Sequence, residues 1–243
     1  MFRHKGNNRT FIHNLRLASL LSLVAGIVNI TGVLSVKVLT TNVTGHFAFF
    51  GEEFSQKNYV IAIVYLVFIL SFLAGAFFSN MLIEILSRKR PVLAYAVPMF
   101  FEILLLTCTG FFGKEYVYTD FSGQVVACVL LFSMGLQNSL VTKVSQSVVR
   151  TTHLTGLFTD LGIELSQLFF YRKKLEFHQL SRSIFLKLAI IGCFFSGCVI
   201  GGLAYRSLGL KTLLVASVVL LFALFYDNIR LHYYNLKRKI QAR

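Results

Sequence analysis

The chain has 243 residues, 56% of them hydrophobic and only 14% charged, with a formal net charge of +14 and a mean hydropathy of +0.69. Soluble domains carry about a quarter charged residues, so an ordinary water-soluble enzyme or binding domain is excluded. A helix needs about 20 apolar residues to cross a bilayer core of about 30 Å. Backbone groups in lipid must be bonded within their own element, so long uncharged windows here predict spanning helices.

The first such window, Leu17–Val36, follows Arg3, Lys5, Arg9 and Arg16. It is long for a signal-peptide core and no small-x-small cleavage site follows it, so a retained helix is expected. Its middle reads Ala25-Gly26-Ile27-Val28-Asn29-Ile30-Thr31-Gly32. Glycine costs about 1 kcal/mol in a helix interior relative to alanine, although small residues also let membrane helices approach. The amide of Asn29 needs a partner in lipid, which predicts a discontinuous helix. TTNVTGHFAFFGEEFSQ then runs from Thr40 to Gln56, and a second span, Asn58–Ile83, leads to Arg88-Lys89-Arg90. The third, Pro91–Gly113, holds one charge, Glu102. Near a bilayer centre an acidic side chain costs about 2.5–3.5 kcal/mol on insertion scales. Glu102 is therefore expected to face the bundle interior, as a proton or cation site or as a neutral acid bonded to a neighbouring helix.

The fourth span, Phe121–Thr142, contains Ser133-Met134-Gly135-Leu136-Gln137-Asn138-Ser139, the same mixture as the first and a second predicted discontinuity. TTHLTGLFTDLGIELSQ follows from Thr151 to Gln167, then spans five, Leu188–Tyr205, and six, Thr212–Tyr226, and a basic tail. The four cysteines, Cys108, Cys128, Cys193 and Cys198, fall within predicted spans. Apolar burial makes a thiol inert; no disulfide framework, metal site or cofactor is expected.

The two polar stretches agree at Thr40/Thr151, Thr41/Thr152, Thr44/Thr155, Gly45/Gly156, Gly51/Gly162, Glu53/Glu164 and Gln56/Gln167. Gly26-Ile27-Val28-Asn29 likewise resembles Gly135-Leu136-Gln137-Asn138, with a two-residue length difference before the motif. Phe72-Leu73-Ala74-Gly75 resembles Phe194-Phe195-Ser196-Gly197. The parse is span–motif–span–span, twice, over about 17–113 and 121–228 within one membrane domain of residues 1–243. Three is odd, so the second copy enters from the opposite side. The predicted fold is all-α: a six-helix membrane bundle of two inverted three-helix repeats.

Charge placement gives the orientation. The amino-terminal basic cluster, Arg88–Arg90, the segment from Lys143 to Lys187, and the tail from Arg230 all fall on one side of a six-span chain. The positive-inside rule makes that side, and both termini, cytoplasmic. Anionic headgroups are a simpler partner for these residues than nucleic acid, which is not expected as a ligand.

GIVN followed by TTNVTG, and GLQN followed by VRTTHLTGLFTDLG, resemble the YoaK-like family of bacterial inner-membrane proteins, catalogued as domain of unknown function 1275. The resemblance runs from about Leu17 to Tyr226 and is most specific at Gly135, Gln137, Asn138, Arg150, Thr151, Thr152, Thr155, Gly156 and Asp160. The first half departs from the pattern: Asn29 replaces an acidic residue, and His46 replaces the Asn after Thr-Gly. The resemblance implies a bacterial multi-pass inner-membrane protein.

Helix amino ends attract anions, and a helix beginning after each Thr-Gly would offer one, joined in the second copy by Arg150 and by the imidazole of His153. Discontinuous helices in inverted repeats form the substrate sites of many transporters. The pathway expected between the repeats is lined by Asn29, Thr31, Thr40, Thr41, Thr44, Gly45, Glu102, Gln137, Asn138, Arg150, Thr151, Thr152, His153, Thr155 and Gly156. Asp160, Glu164 and Gln167 form one stripe of an amphipathic helix, as an interfacial helix would. Phosphate loops, CxxC pairs, HExxH and nucleophile elbows are missing, so no catalytic residue is assigned. The expected function is passage of a small solute or ion, with a lipid- or partner-binding scaffold as the alternative; the oligomeric state is not readable.

Overall fold

The computed structural model describes residues 11–90, 93–113, 120–147, 149–170 and 174–225. The basic tail and most of the amino-terminal cluster lie outside these residues, as do Pro91, Arg172 and Lys173. The described chain is helical: α1 (Phe11–Val36), α2 (Val43–Ser55), α3 (Tyr59–Lys89), α4 (Ala96–Phe112), α5 (Phe121–Ser145), α6 (Leu154–Gln167) and α7 (Lys174–Leu208). A 3-10 turn, Gly209–Lys211, leads into a last helix, α8, over 212–225. Gly209 has φ 54 at this break, a left-handed conformation that glycine adopts without steric cost.

Each predicted span is met by an apolar helix. By length and hydropathy α1, α3, α5 and the run Phe177–Phe225 are long enough to cross a bilayer, whereas α4 has 17 residues. At 1.5 Å per residue α4 extends about 25 Å. The outer surface is apolar: Val60, Ile63, Leu73, Phe77, Phe195 and Leu203 are exposed. A contiguous apolar exterior of this kind requires lipid rather than water. The chain is a helical membrane protein.

Both predicted discontinuities are corrected. α1 runs unbroken through Ala25–Gly32, and α5 through Ser133–Ser139. The glycines there serve close packing. A methyl on Gly26 would lie 2.2 Å from the Phe194 carbonyl oxygen of α7, and one on Gly197 would lie 2.2 Å from the Leu23 oxygen of α1. The second crossing repeats the arrangement. A methyl on Gly135 would lie 2.0 Å from the Phe72 oxygen of α3, and one on Gly75 would lie 2.0 Å from the Phe132 oxygen of α5. Small residues admit backbone-to-backbone approach in membranes, where lipid tails supply no hydrophobic drive between helices.

These crossings make α1 with α7, and α3 with α5, the most extensive helix pairs among the described elements. Within each pair the helices run the same way. Phe11 meets Phe185 and Gly26 meets Gly197 in one; Gly75 meets Phe132 and Glu84 meets Lys143 in the other. The pairs join along α1 and α5, which run antiparallel: Gln137 bonds to Leu21, and Leu130 lies against Gly32. The Thr40 and Thr151 segments therefore sit at opposite ends of the bundle. α2 packs on α3, and α6 on α7.

Gly26→Ala and Gly135→Ala are expected to lower the thermal unfolding midpoint in detergent substantially, because each methyl meets backbone. Gly51 and Gly162 have open space around the would-be methyl, so Gly51→Ala and Gly162→Ala should be neutral or stabilise by up to about 1 kcal/mol. Equal effects at all four positions would contradict the assignment of the crossings.

Candidate functional site

The polar residues gather at the two ends of the α1–α5 seam, and the ends differ. At the first, the side-chain oxygen of Asn29 accepts from the Thr41 backbone N–H at 3.2 Å, the Thr41 hydroxyl at 3.0 Å and the Thr40 hydroxyl at 3.5 Å. One amide oxygen thus ties the motif segment to α1. Asn42 then caps α2, accepting from the Gly45 N–H at 3.1 Å and the Thr44 hydroxyl at 2.8 Å. Ser, Asn and Asp at this position satisfy helix-end N–H groups that otherwise have no partner. α2 consequently begins at Val43, ahead of Thr44-Gly45, and α6 begins at Leu154, ahead of Thr155-Gly156. The expected start after each Thr-Gly is corrected.

His46 is buried in this end, with Nε2 2.9 Å from the Leu39 carbonyl oxygen and its ring packed near Tyr65 and edge-on to Phe68. Burial pushes the imidazole below its ordinary value of 6.5, with the Leu39 hydrogen bond pulling the other way.

The opposite end is open. A cavity of about 760 Å³ lies between the carboxy-terminal ends of α3 and α5, lined by Asn80, Glu84, Asn138, Ser139, Thr142 and Lys143, with Tyr95 and Ser147 at its margin. The Asn138 side-chain oxygen is buried and has no hydrogen-bond partner among the described residues; nor does the buried hydroxyl of Thr151. Asn138 matches Asn29 in sequence, and Thr151 matches Thr40; the bonds that Asn29 makes have no equivalent at the Asn138 oxygen among the described residues. Lys143 Nζ lies 2.6 Å from Glu84 Oε1, both side chains being half-exposed.

Ser147 also borders a second cavity, of about 350 Å³, lined by Arg150, His153, Gly156, Asp160, Ser183 and Lys187. Lys187 Nζ lies 2.6 Å from Glu164 Oε1, which also accepts from the Ser183 hydroxyl at 2.6 Å. Glu164, on the polar stripe read from the sequence, thus pins α6 to α7. Gln146 and Ser147, between the cavities, have φ of 53 and 65. Two successive left-handed residues other than glycine are uncommon.

The remaining predicted residues are placed as follows. Thr31 is fully buried and donates to its own helix, at Ile27, 2.8 Å away. Gln137 donates across the seam to the Leu21 carbonyl at 2.8 Å. Thr152 and Thr155 precede and begin α6. Glu102 is fully buried and unpartnered among the described residues, and lines neither cavity. Asn80, Glu84 and Lys143 were not singled out from sequence. Glu84 and Lys143 are 59 residues apart, and the one available signal was the polarity of Asn80 and Glu84 one turn apart near the end of an apolar span.

An all-helical membrane protein with glycine-packed crossings and a polar cavity at one end defines the class. Residues 17–226 match the family described as protein of unknown function DUF1275, and the chain belongs to that family. Its sequence is 28% identical over 181 residues to the UPF0700 transmembrane protein YoaK of Bacillus subtilis (strain 168), covering 72% of this chain and 77% of that one. No solved structure matches.

All three groups that Asn29 Oδ1 engages are donors, so a carboxylate can replace the amide oxygen. Asn29→Asp is expected to keep the segment tied, whereas Asn29→Ala should cost about 1–3 kcal/mol and expose Thr40–Thr44 to protease. Equal protection in both variants would contradict the tie. A histidine of lowered pKa contributes fully above 6.5 and loses stability as pH falls through its folded value. The unfolding midpoint is therefore expected to fall more steeply below pH 6.5 in the wild type than in His46→Asn, measured by thermal melts across pH.

Proposed function

We infer that the protein is a permease of the bacterial inner membrane, passing a small polar solute by alternating access between two inverted three-helix halves. The halves are about 17–113 and 121–228, and the lipid bilayer is the permanent partner. The observation that carries this reading is the unequal state of two matching amides. Asn29 holds its Thr-Thr segment closed, while Asn138 faces an open cavity with its oxygen unpartnered among the described residues. Duplicated halves related by inversion supply two gates from one design, and the solute site lies where they meet.

The antiparallel α1–α5 seam and the two alike glycine crossings support inversion. Exchanging the halves maps the α1–α7 crossing onto the α5–α3 crossing. Closing the open end requires Thr151-Thr152 to reach Asn138, and the two left-handed residues Gln146 and Ser147 lie on the connecting segment. Arg88, Lys89, Arg90, Lys143 and Arg150 collect at the open end, which the positive-inside rule assigns to the cytoplasm together with both termini. The reading includes no catalytic step and no nucleic-acid partner.

Proteoliposomes holding the purified protein are expected to take up at least one solute from a panel of small polar metabolites. Absence of flux for every solute, with the fold intact, would remove the permease reading. In a cysteine-free background, Asn42→Cys and His153→Cys are expected to react with an impermeant thiol reagent from opposite faces. Reaction from the same face would contradict inversion.

A further inference from the structure

Resting on the permease reading, we propose that the open cavity is a binding site for a zwitterionic solute of the amino-acid class. Among the described residues that line it, Glu84 is the one acid and Lys143 the one base. Their 2.6 Å pair is half-exposed, and such pairs are held weakly because water and salt compete for both partners. A ligand bearing both a carboxylate and an ammonium offers each member of that pair a partner of opposite charge: its carboxylate meets Lys143 and its ammonium meets Glu84.

The alternatives fit less well. A lone anion meets the Glu84 carboxylate 2.6 Å from the Lys143 ammonium it seeks, and a lone cation meets the reverse. A neutral polyol gains from neither charge. The rest of the wall suits the ligand's uncharged parts. Asn80 and Ser139 present an amide and a hydroxyl. The Asn138 oxygen, buried and unpartnered among the described residues, awaits a donor; an ammonium that reaches it has a proton to spare after meeting Glu84. The volume of about 760 Å³ exceeds that of any single amino acid, leaving room for varied side chains and bound water.

The pair also bridges α3 and α5 directly, since Glu84 is on one helix and Lys143 on the other. A ligand that takes over both charges therefore acts on the crossing that sets the width of the open end. Binding at this pair is the step through which occupancy would reach the gate.

The test uses the full-length protein in lipid nanodiscs, with thermal stabilisation and isothermal titration as readouts. The probes are the L-amino acids, together with propionate and ethylamine, which are alanine lacking its ammonium or its carboxylate, and glycerol as a neutral control. At least one amino acid is expected to bind saturably, with the single-charge analogues and glycerol at least tenfold weaker. Glu84→Gln and Lys143→Gln should each weaken binding at least tenfold. The double exchange Glu84→Lys with Lys143→Glu, which keeps an opposite-charge pair across the helices, should recover part of it. Lack of binding by every amino acid, single-charge analogues binding as well as the zwitterion, or binding untouched in folded single variants would each overturn the proposal. The analogue comparison needs no variant and stands even where one fails to fold. Amino-acid binding without flux would remove the permease reading and keep the site, whereas flux of another solute without such binding would do the reverse.

Discussion

Everything in this bundle depends on two places where helix backbones touch. Lipid gives helices no reason to associate by hydrophobicity, so contact must come from close van der Waals approach. Gly26 against Phe194 and Gly135 against Phe72 leave no space for even a methyl group. That absence of side chain brings α1 onto α7 and α5 onto α3. It also fixes where the next polar residues fall: Asn29 and Asn138 each lie three residues beyond their glycine, one toward each end of the bundle. A side chain at either glycine would push its helix pair apart and move the amide with it.

The amides show how a membrane protein keeps polar groups without breaking helices. Asn29 reaches past the end of α1 to three donors on the following segment. Gln137 reaches across to a carbonyl of α1 while α5 continues. Unsatisfied polar groups in an apolar setting cost several kcal/mol, and each of these is met by a partner distant in sequence. The side-chain oxygens of Gln137 and Asn138 are the exceptions among the described residues, and of the three amides Asn138 is the one that borders a cavity.

Much of the fold was legible because it is written in long uncharged windows, and every predicted span is met by a helix. The internal resemblance was legible because TTxxTG and GxExSQ recur at fixed spacing. Helix continuity was misread since glycine and amide look alike as helix breakers in one dimension; only the neighbouring helix shows that Gly26 and Gly135 are contacts. The start of α2 was misread because Asn42, not Thr-Gly, supplies the cap. The Glu84–Lys143 pair was not legible, for it is created by the α3–α5 crossing and by nothing local. Glu102 was legible as buried, yet it lies off both cavities, because a charge in a span announces depth and not direction.

The central claim is that the two ends open in opposition about the glycine crossings. Pulsed electron–electron spin resonance in nanodiscs, with one label pair at Thr44 and Arg206 and another at Arg88 and Gln146, tests it directly. The account predicts two distances for each pair, with conditions that lengthen one pair shortening the other. A single unchanging distance at both ends, or both ends widening together, would contradict it.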